Sequence, residues 1–156
     1  MEQIDSRAGV RARATDAVRG LVRVSALLEK ASSELSLAHY RVLSAISSGD
    51  ERASRIARRL ALGKPTVSAA VASLCQRGLL VRAGVEGDLR ATDLRLTAEG
   101  RAVLERVEAE MIRRLEQVVS RSPDPPGAMD SLASLAPAIE EVVAERAARR
   151  LGEGGR

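Results

Sequence analysis

The residues whose types and spacing could do chemistry cluster between Arg52 and Thr97 of this 156-residue chain. In the run KPTVSAAVASLCQ, helical spacing places Pro65, Thr66, Ala69, Ala72, Ser73 and Gln76 on one side, flanked by Lys64 and Ser68. Lys64, Pro65, Thr66, Ser68, Ala69 and Ser73 suit contact with base edges in the major groove of duplex DNA. Thr66 and Ser68 can hydrogen-bond bases or phosphates, and the methyls of Thr66 and Ala69 can touch thymine methyls. Small side chains at the front of such a face let a helix come close, and its first free N–H groups can meet a phosphate. Farther on, Asp88 and Arg90 stand at the centre of a Gly-punctuated connection. An arginine on a hairpin tip can enter the narrow minor groove, where the potential is most negative. An aspartate two residues earlier can orient its guanidinium by a charge-assisted hydrogen bond. Arg55, Arg58, Arg59, Arg82 and Arg95 are candidates for phosphates, which set register and salt dependence rather than sequence preference.

Other chemistries lack their parts. One histidine has no plausible partner for a nucleophile–base pair, so no catalytic residue is assigned and an enzyme is not expected. A single cysteine, Cys75, excludes an intramolecular disulfide and a multi-cysteine zinc site, and no metal or cofactor is expected. Beside the apolar face of its helix, Cys75 reads as a structural thiol. There is one Tyr and no Phe or Trp. That removes the stacking platforms of single-strand binders and leaves duplex DNA as the nucleic acid open to this chain.

Charge distribution agrees. Net charge is only +4, yet residues 52–95 carry nine Lys/Arg (52, 55, 58, 59, 64, 77, 82, 90, 95) against three acids (86, 88, 93). A basic middle of +6 between mildly acidic ends is the footprint of one face meeting phosphates. The first residues, MEQIDSRAGVRA, lack the apolar run of a signal peptide, and no stretch approaches the roughly 20 apolar residues of a membrane span. A cytoplasmic location, with no membrane partner, is the expectation.

The elements that must position these residues follow from periodicity and caps. Val18, Leu21, Val22 and Leu28 mark an amphipathic helix from about Thr15 to Ala31. Ser36 caps a second helix, LAHYRVLSAIS, ending at Gly49-Asp50. Ser54 caps the short RIARRL, the turn ALG follows, and Pro65 opens the next helix, which runs to about Arg77-Gly78. Its apolar side, Val67, Ala70, Val71 and Leu74, should pack on Ile56, Leu60 and Leu62. Leu79–Ala83 and Thr92–Leu96 form a hairpin. Thr97 caps a long helix through Val103, Leu104, Val107, Met111, Leu115, Val118 and Val119. The three prolines of Ser122–Gly127 break the chain, and a last helix runs from about Asp130 to Arg150, with Pro137 inside it.

The run LALGKPTVSAAVASLCQRGLLVR followed by DLRATDLRLTAEG resembles the MarR (multiple antibiotic resistance regulator) family of winged-helix repressors. That family's wing pattern, an Asp, an Arg two later, then Leu-x-Leu-Thr-x-x-Gly, maps onto Asp88, Arg90, Leu94, Leu96, Thr97 and Gly100. The resemblance covers about residues 15–150. It implies a homodimer joined through the terminal helices, a pseudo-palindromic operator read in two successive major grooves roughly 34 Å apart, and control by a small-molecule effector. The effector crevice would lie between the dimer helices and the winged core, where His39 and Tyr40 border it. The recognition face departs from the family in lacking the arginine or glutamine often used for bidentate base contacts.

The expected fold is mainly α with a small β-hairpin wing. A flexible 1–14 leads to a dimerisation helix at 15–35. A winged helix-turn-helix core spans 36–97, with its recognition helix at about 64–77 and its wing at about 79–97. Dimerisation helices at 98–150 precede a flexible tail at 151–156. Function is read as a transcriptional repressor that binds duplex DNA as a homodimer. The alternative is a winged-helix module that binds proteins rather than specific DNA.

Overall fold

Capping side chains decide where two of the central elements begin. Ser36 is extended (φ −69°, ψ 158°), and its hydroxyl accepts from the His39 N–H to start α2 (Leu37–Ser47). Thr97 starts α5 (Ala98–Val119) the same way, accepting from the Gly100 N–H at 2.9 Å. Both caps match the sequence expectation. α3 (Ala53–Arg59) does not, because its N-cap is Arg52 with no side-chain cap bond. Ser54 therefore sits inside the first turn instead of ahead of it. α4 (Lys64–Gln76) follows Gly63, with Lys64 first and Pro65 second. A second-position N–H has no intrahelical acceptor, so proline sacrifices no bond there.

The computed structural model describes residues 2–49, 52–85 and 88–153, the side chains of 2–8, 84–85, 88–92, 147–148 and 150–153 excepted. α3 and α4 close with the same motif. After α3, Leu62 N–H donates to Ala57 O (3.1 Å) and Ala61 N–H to Arg58 O (3.2 Å), with Ala61 left-handed at φ 51°. After α4, Leu79 N–H donates to Leu74 O and Gly78 N–H to Cys75 O, with Gly78 at φ 69°. In each case the left-handed residue lets two end carbonyls find donors and turns the chain sharply. The first turn sets the α3–α4 angle, and the second delivers the chain into the hairpin.

β1 (Leu80–Val85) pairs antiparallel with β2 (Asp88–Leu96), Leu80 opposite Leu96 and Arg82 opposite Leu94, with an irregularity at Gly84/Val85. Both strands reach farther toward the tip than 79–83 and 92–96. Leu80 and Leu94 are buried, so one hairpin face closes on α2 and α4. Leu43, Ile56, Leu74, Leu80, Val42, Val67 and Val107 form the fully buried centre. With no Phe or Trp in the chain, this centre is filled by Leu, Val and Ile side chains of α2–α5 and the hairpin. The architecture is mainly α with a two-stranded antiparallel wing, a winged helix-turn-helix.

Two long helices differ from expectation. α1 (Glu2–Glu29) begins at Glu2, so residues 2–14, read from sequence as flexible, are helical. α6 (Pro125–Glu153) begins at Pro125 and continues through Pro137. The break is accordingly confined to 120–124, and helix also extends into the expected tail at 151–153. α1 packs on α5, and α6 packs on α3 and α5. Among the described residues no helix is long and apolar enough to cross a membrane.

Candidate nucleic-acid interface

α4 presents the two faces that its sequence calls for. Val67, Ala70, Val71 and Leu74 are buried, while Ile56 is buried and Leu60 and Leu62 are half-buried against the same core. Lys64, Pro65, Thr66, Ser68, Ala69, Ala72 and Gln76 are exposed, and Ser73 is half-buried. Six base-reading candidates thus share one helix whose outer face carries methyl and hydroxyl groups between two long donors, Lys64 at its start and Gln76 at its end. α4 has no acidic residue in its first turn, so its N-terminal N–H groups face no competing carboxylate.

The arginines divide. Arg55 and Arg58 are exposed on α3. Arg59 is engaged with α6, its Nη2 lying 3.4 Å from Glu140 Oε1. In the hairpin, Arg82 pairs with Leu94 and Arg95 with Val81. Successive residues of a strand point to opposite faces, so Arg82 and Arg95 leave the ribbon on opposite sides. Backbone at Asp88 and Arg90 belongs to β2, but their side chains lie outside the described residues. Another cation, Arg52, reaches Asp93 of the wing at 3.8 Å and ties the start of α3 to β2.

Several positioning contacts were not foreseen. Arg77, the C-cap residue of α4, donates to Glu34 O at 2.7 Å. Glu34 lies in the α1–α2 connection, and its carboxylate accepts two bonds from Arg106 of α5, at 3.0 and 3.3 Å. Arg106 also donates to Glu99 at 3.3 Å. Arg106 foremost, and Arg77 beside it, hold the Glu34 carboxyl below its ordinary range, and the Arg106 guanidinium is correspondingly raised. Arg41 donates to Leu60 O at 2.7 Å, satisfying a carbonyl at the end of α3. Residues 34, 77 and 106 stand 43 and 72 positions apart in pairing, so no local spacing could have revealed them.

His39 and Tyr40 have separate partners. His39 Nδ1 lies 3.0 Å from Ser36 Oγ, and burial, with the Arg77 charge adding to it, pulls its pKa below the ordinary value. Tyr40 donates its phenol to Glu108 Oε1 of α5 at 3.2 Å; burial first, and Glu108 next, push its pKa up. A cavity of about 210 Å³ does lie between long helix and winged core, lined by Arg41, Ser44, Leu60, Ile139, Glu140 and Val143 among others. Neither His39 nor Tyr40 lines it. Cys75 is half-buried against the core, and no grouping of metal-ligating side chains occurs among the described residues.

Comparison with known proteins agrees with this geometry. Residues 33–91 match the family model described as MarR family, and no curated protein matches. The PcaV transcriptional regulator from Streptomyces coelicolor is 26% identical with a TM-score of 0.62, over 81% of this chain and 97% of that one. The repressor CouR, solved on a 23-mer DNA duplex, is 28% identical with a TM-score of 0.68, over 80% and 89%. A MarR-family regulator from Rhodococcus sp. RHA1, at 21% identity and a TM-score of 0.68 over 79% and 88%, shares the fold.

Proposed function

We propose that this chain, whose winged core is that of the MarR family of transcriptional regulators rather than of any enzyme, binds duplex DNA as a homodimer and represses transcription. The observation that carries the proposal is the exposed, small-residue face of α4 on a fold shared with a repressor solved on DNA. In it, Lys64, Pro65, Thr66, Ser68, Ala69 and Ser73 read base edges, and Asp88 with Arg90 place the wing in the adjacent minor groove. Arg55, Arg58, Arg82 and Arg95 meet phosphates. Arg59 joins them by exchanging Glu140 for a phosphate.

The second copy is argued from surface chemistry. Val10 (55%), Val18 (60%), Val22 (65%), Ile112 (50%), Ile139 (57%) and Val142 (49%) are exposed on α1, α5 and α6. Apolar stripes on three long helices from both ends of a chain are buried most economically against themselves, across a two-fold axis. Such a dimer would hold two α4 helices for half-sites about one DNA turn apart. Small-molecule control is supported by PcaV, which has also been solved in complex with its natural ligand, and by the crevice between α6 and the winged core. A cytoplasmic location follows from a role on the chromosome.

The test is a gel shift with DNA upstream of the gene at two salt concentrations, alongside sedimentation. Ten arginine contacts across a dimer predict about a 10³-fold or larger loss between 50 and 200 mM salt. A strictly monomeric protein, or one indifferent to every duplex at low salt, would overturn it. Retained binding to a protein partner in that case would favour the interaction module instead.

A further inference from the structure

The winged core meets the long helices through the 30–36 connection from α1, through packing of α2 on α5 and of α3 on α6, and at a seam by Thr97. There the Thr97 hydroxyl donates to Gly78 O (2.7 Å), the Thr97 N–H donates to Leu79 O (3.1 Å), and α5 departs directly from β2. Val103, Leu104, Val107 and Met111 of α5 lie in the same buried core as α2 and α4, so only small rotations of α4 against α5 are open. Even a small rotation moves the two α4 helices of a dimer relative to each other. Glu34 supplies a polar tie across that packing. Its carbonyl is gripped by Arg77 at the C-cap of α4, and its carboxylate by Arg106, two turns into α5. Glu99, in the first turn of α5, takes the remaining bond of Arg106 and fixes that guanidinium's direction.

We propose that Glu34, Arg106 and Arg77 are positioning residues that set the angle of α4 against the long helices, and thereby the half-site spacing the protein accepts. The proposal rests on α4 being the DNA-reading helix and on the dimer. Its logic is geometric rather than energetic. The Arg106 and Glu34 side chains are 50% and 39% exposed, and exposed ion pairs add little to stability. What such a pair can do is bias the small rotations that the apolar packing leaves open. Glu34 is suited to this because it is held from three directions, by α4 through its carbonyl, by α5 through its carboxylate, and by the chain that joins α1 to α2. Neither Glu34 nor Arg106 lies on the outer face of α4 or on the wing, so neither is a DNA contact in this arrangement.

The experiment compares a two-half-site duplex with versions carrying one base pair more or fewer between the half-sites. Each change rotates one half-site against the other by about 34°. Fluorescence anisotropy on the full-length dimer should show wild type losing about tenfold in affinity at either altered spacing. Glu34→Gln and Arg106→Gln should narrow that discrimination to about threefold or less, while affinity at the native spacing and the melting temperature change little. Arg106→Lys, which keeps a charge but not the fork, should be intermediate. Discrimination unchanged in both glutamine variants overturns the proposal, and so does a uniform loss at all spacings with a lowered melting temperature. Wild type that binds no duplex overturns the DNA-binding reading itself, a different result from binding with the clamp irrelevant.

Discussion

Replacing Gly100 by alanine should destabilise the protein, although helix propensity taken alone says the reverse. Gly100 lies in the first turn of α5 and is buried. In an exposed helix, Gly→Ala is favourable by about 1 kcal/mol. Here a Cβ would stand 2.0 Å from Leu79 O, 2.9 Å from Leu79 C and 3.2 Å from Leu79 Cα. An unstrained carbon–oxygen approach is about 3.3 Å, so α5 and the start of β1 must separate by roughly an ångström. Both obstacles are backbone, which no rotamer change can clear. Overpacking of this kind costs about 1–3 kcal/mol. The shift would also stretch the two Thr97 hydrogen bonds to Gly78 O and Leu79 O, at about 1 kcal/mol each. After the propensity gain is subtracted, a net loss of about 2–4 kcal/mol remains, roughly 4–16 °C for a chain of this size. Urea unfolding followed by far-UV circular dichroism reads it directly. Gly20→Ala is the control, since nothing lies within 4 Å of its added Cβ, and it should stabilise by up to about 1 kcal/mol. A Gly100→Ala protein as stable as wild type would refute the close approach on which the seam depends.

Further outcomes are expected. Ala61→Gly relieves a left-handed alanine at φ 51° and should raise stability by up to about 1 kcal/mol in the same urea assay. Arg90→Ala should weaken operator binding at least tenfold in gel shifts while sedimentation still reports the dimer; unchanged affinity would remove the wing from the interface. Thr66→Ala and Ser68→Ala should relax sequence preference, seen as easier competition by random DNA, and competition unaltered in both would mean that α4 reads with a different face. The folded-state pKa of His39, the sole histidine, lies below its unfolded value of 6.5. The unfolded chain therefore binds the proton first, so stability falls as pH drops through 6.5 and the interval beneath it. His39→Gln should flatten that part of a melting-temperature profile; an equally steep profile would mean the slope has another source.

How much of this was legible in the sequence depended on whether the signal was local. Ser36 and Thr97 announced their helices because a cap and its N–H partner lie three residues apart. Val67, Ala70, Val71 and Leu74 announced the buried side of α4 because burial imposes the period. The same rule explains the failure at α1. Residues 2–14 hold only Ile4 and Val10 as large apolar side chains, so no stripe marks that stretch, and only helix formers (Gln3, Arg7, Ala8, Arg11, Ala12) speak for it. At α6, Pro125 and Pro126 looked like a break but occupy first-turn positions, where a missing N–H costs nothing. Pro137 leaves only the carbonyl of Ala133 without its helical donor, and the exposed helix continues past it. The motif Leu94-x-Leu96-Thr97-x-x-Gly100 was read as part of a DNA-binding wing. Its Thr, which caps the long helix, and its Gly also build the seam that joins wing to long helix, a role visible only once Leu79 is brought against them.

Tyr40 has an optical consequence. It is the one Phe, Tyr or Trp in the chain, so near-ultraviolet emission has a single source, and that source touches α5 through a hydrogen-bonded carboxylate, a group expected to quench it. Any rearrangement separating α2 from α5 should brighten the protein near 305 nm without a label. The spectrum above 290 nm is otherwise empty, leaving the absorption of an added aromatic compound or oligonucleotide free of protein background.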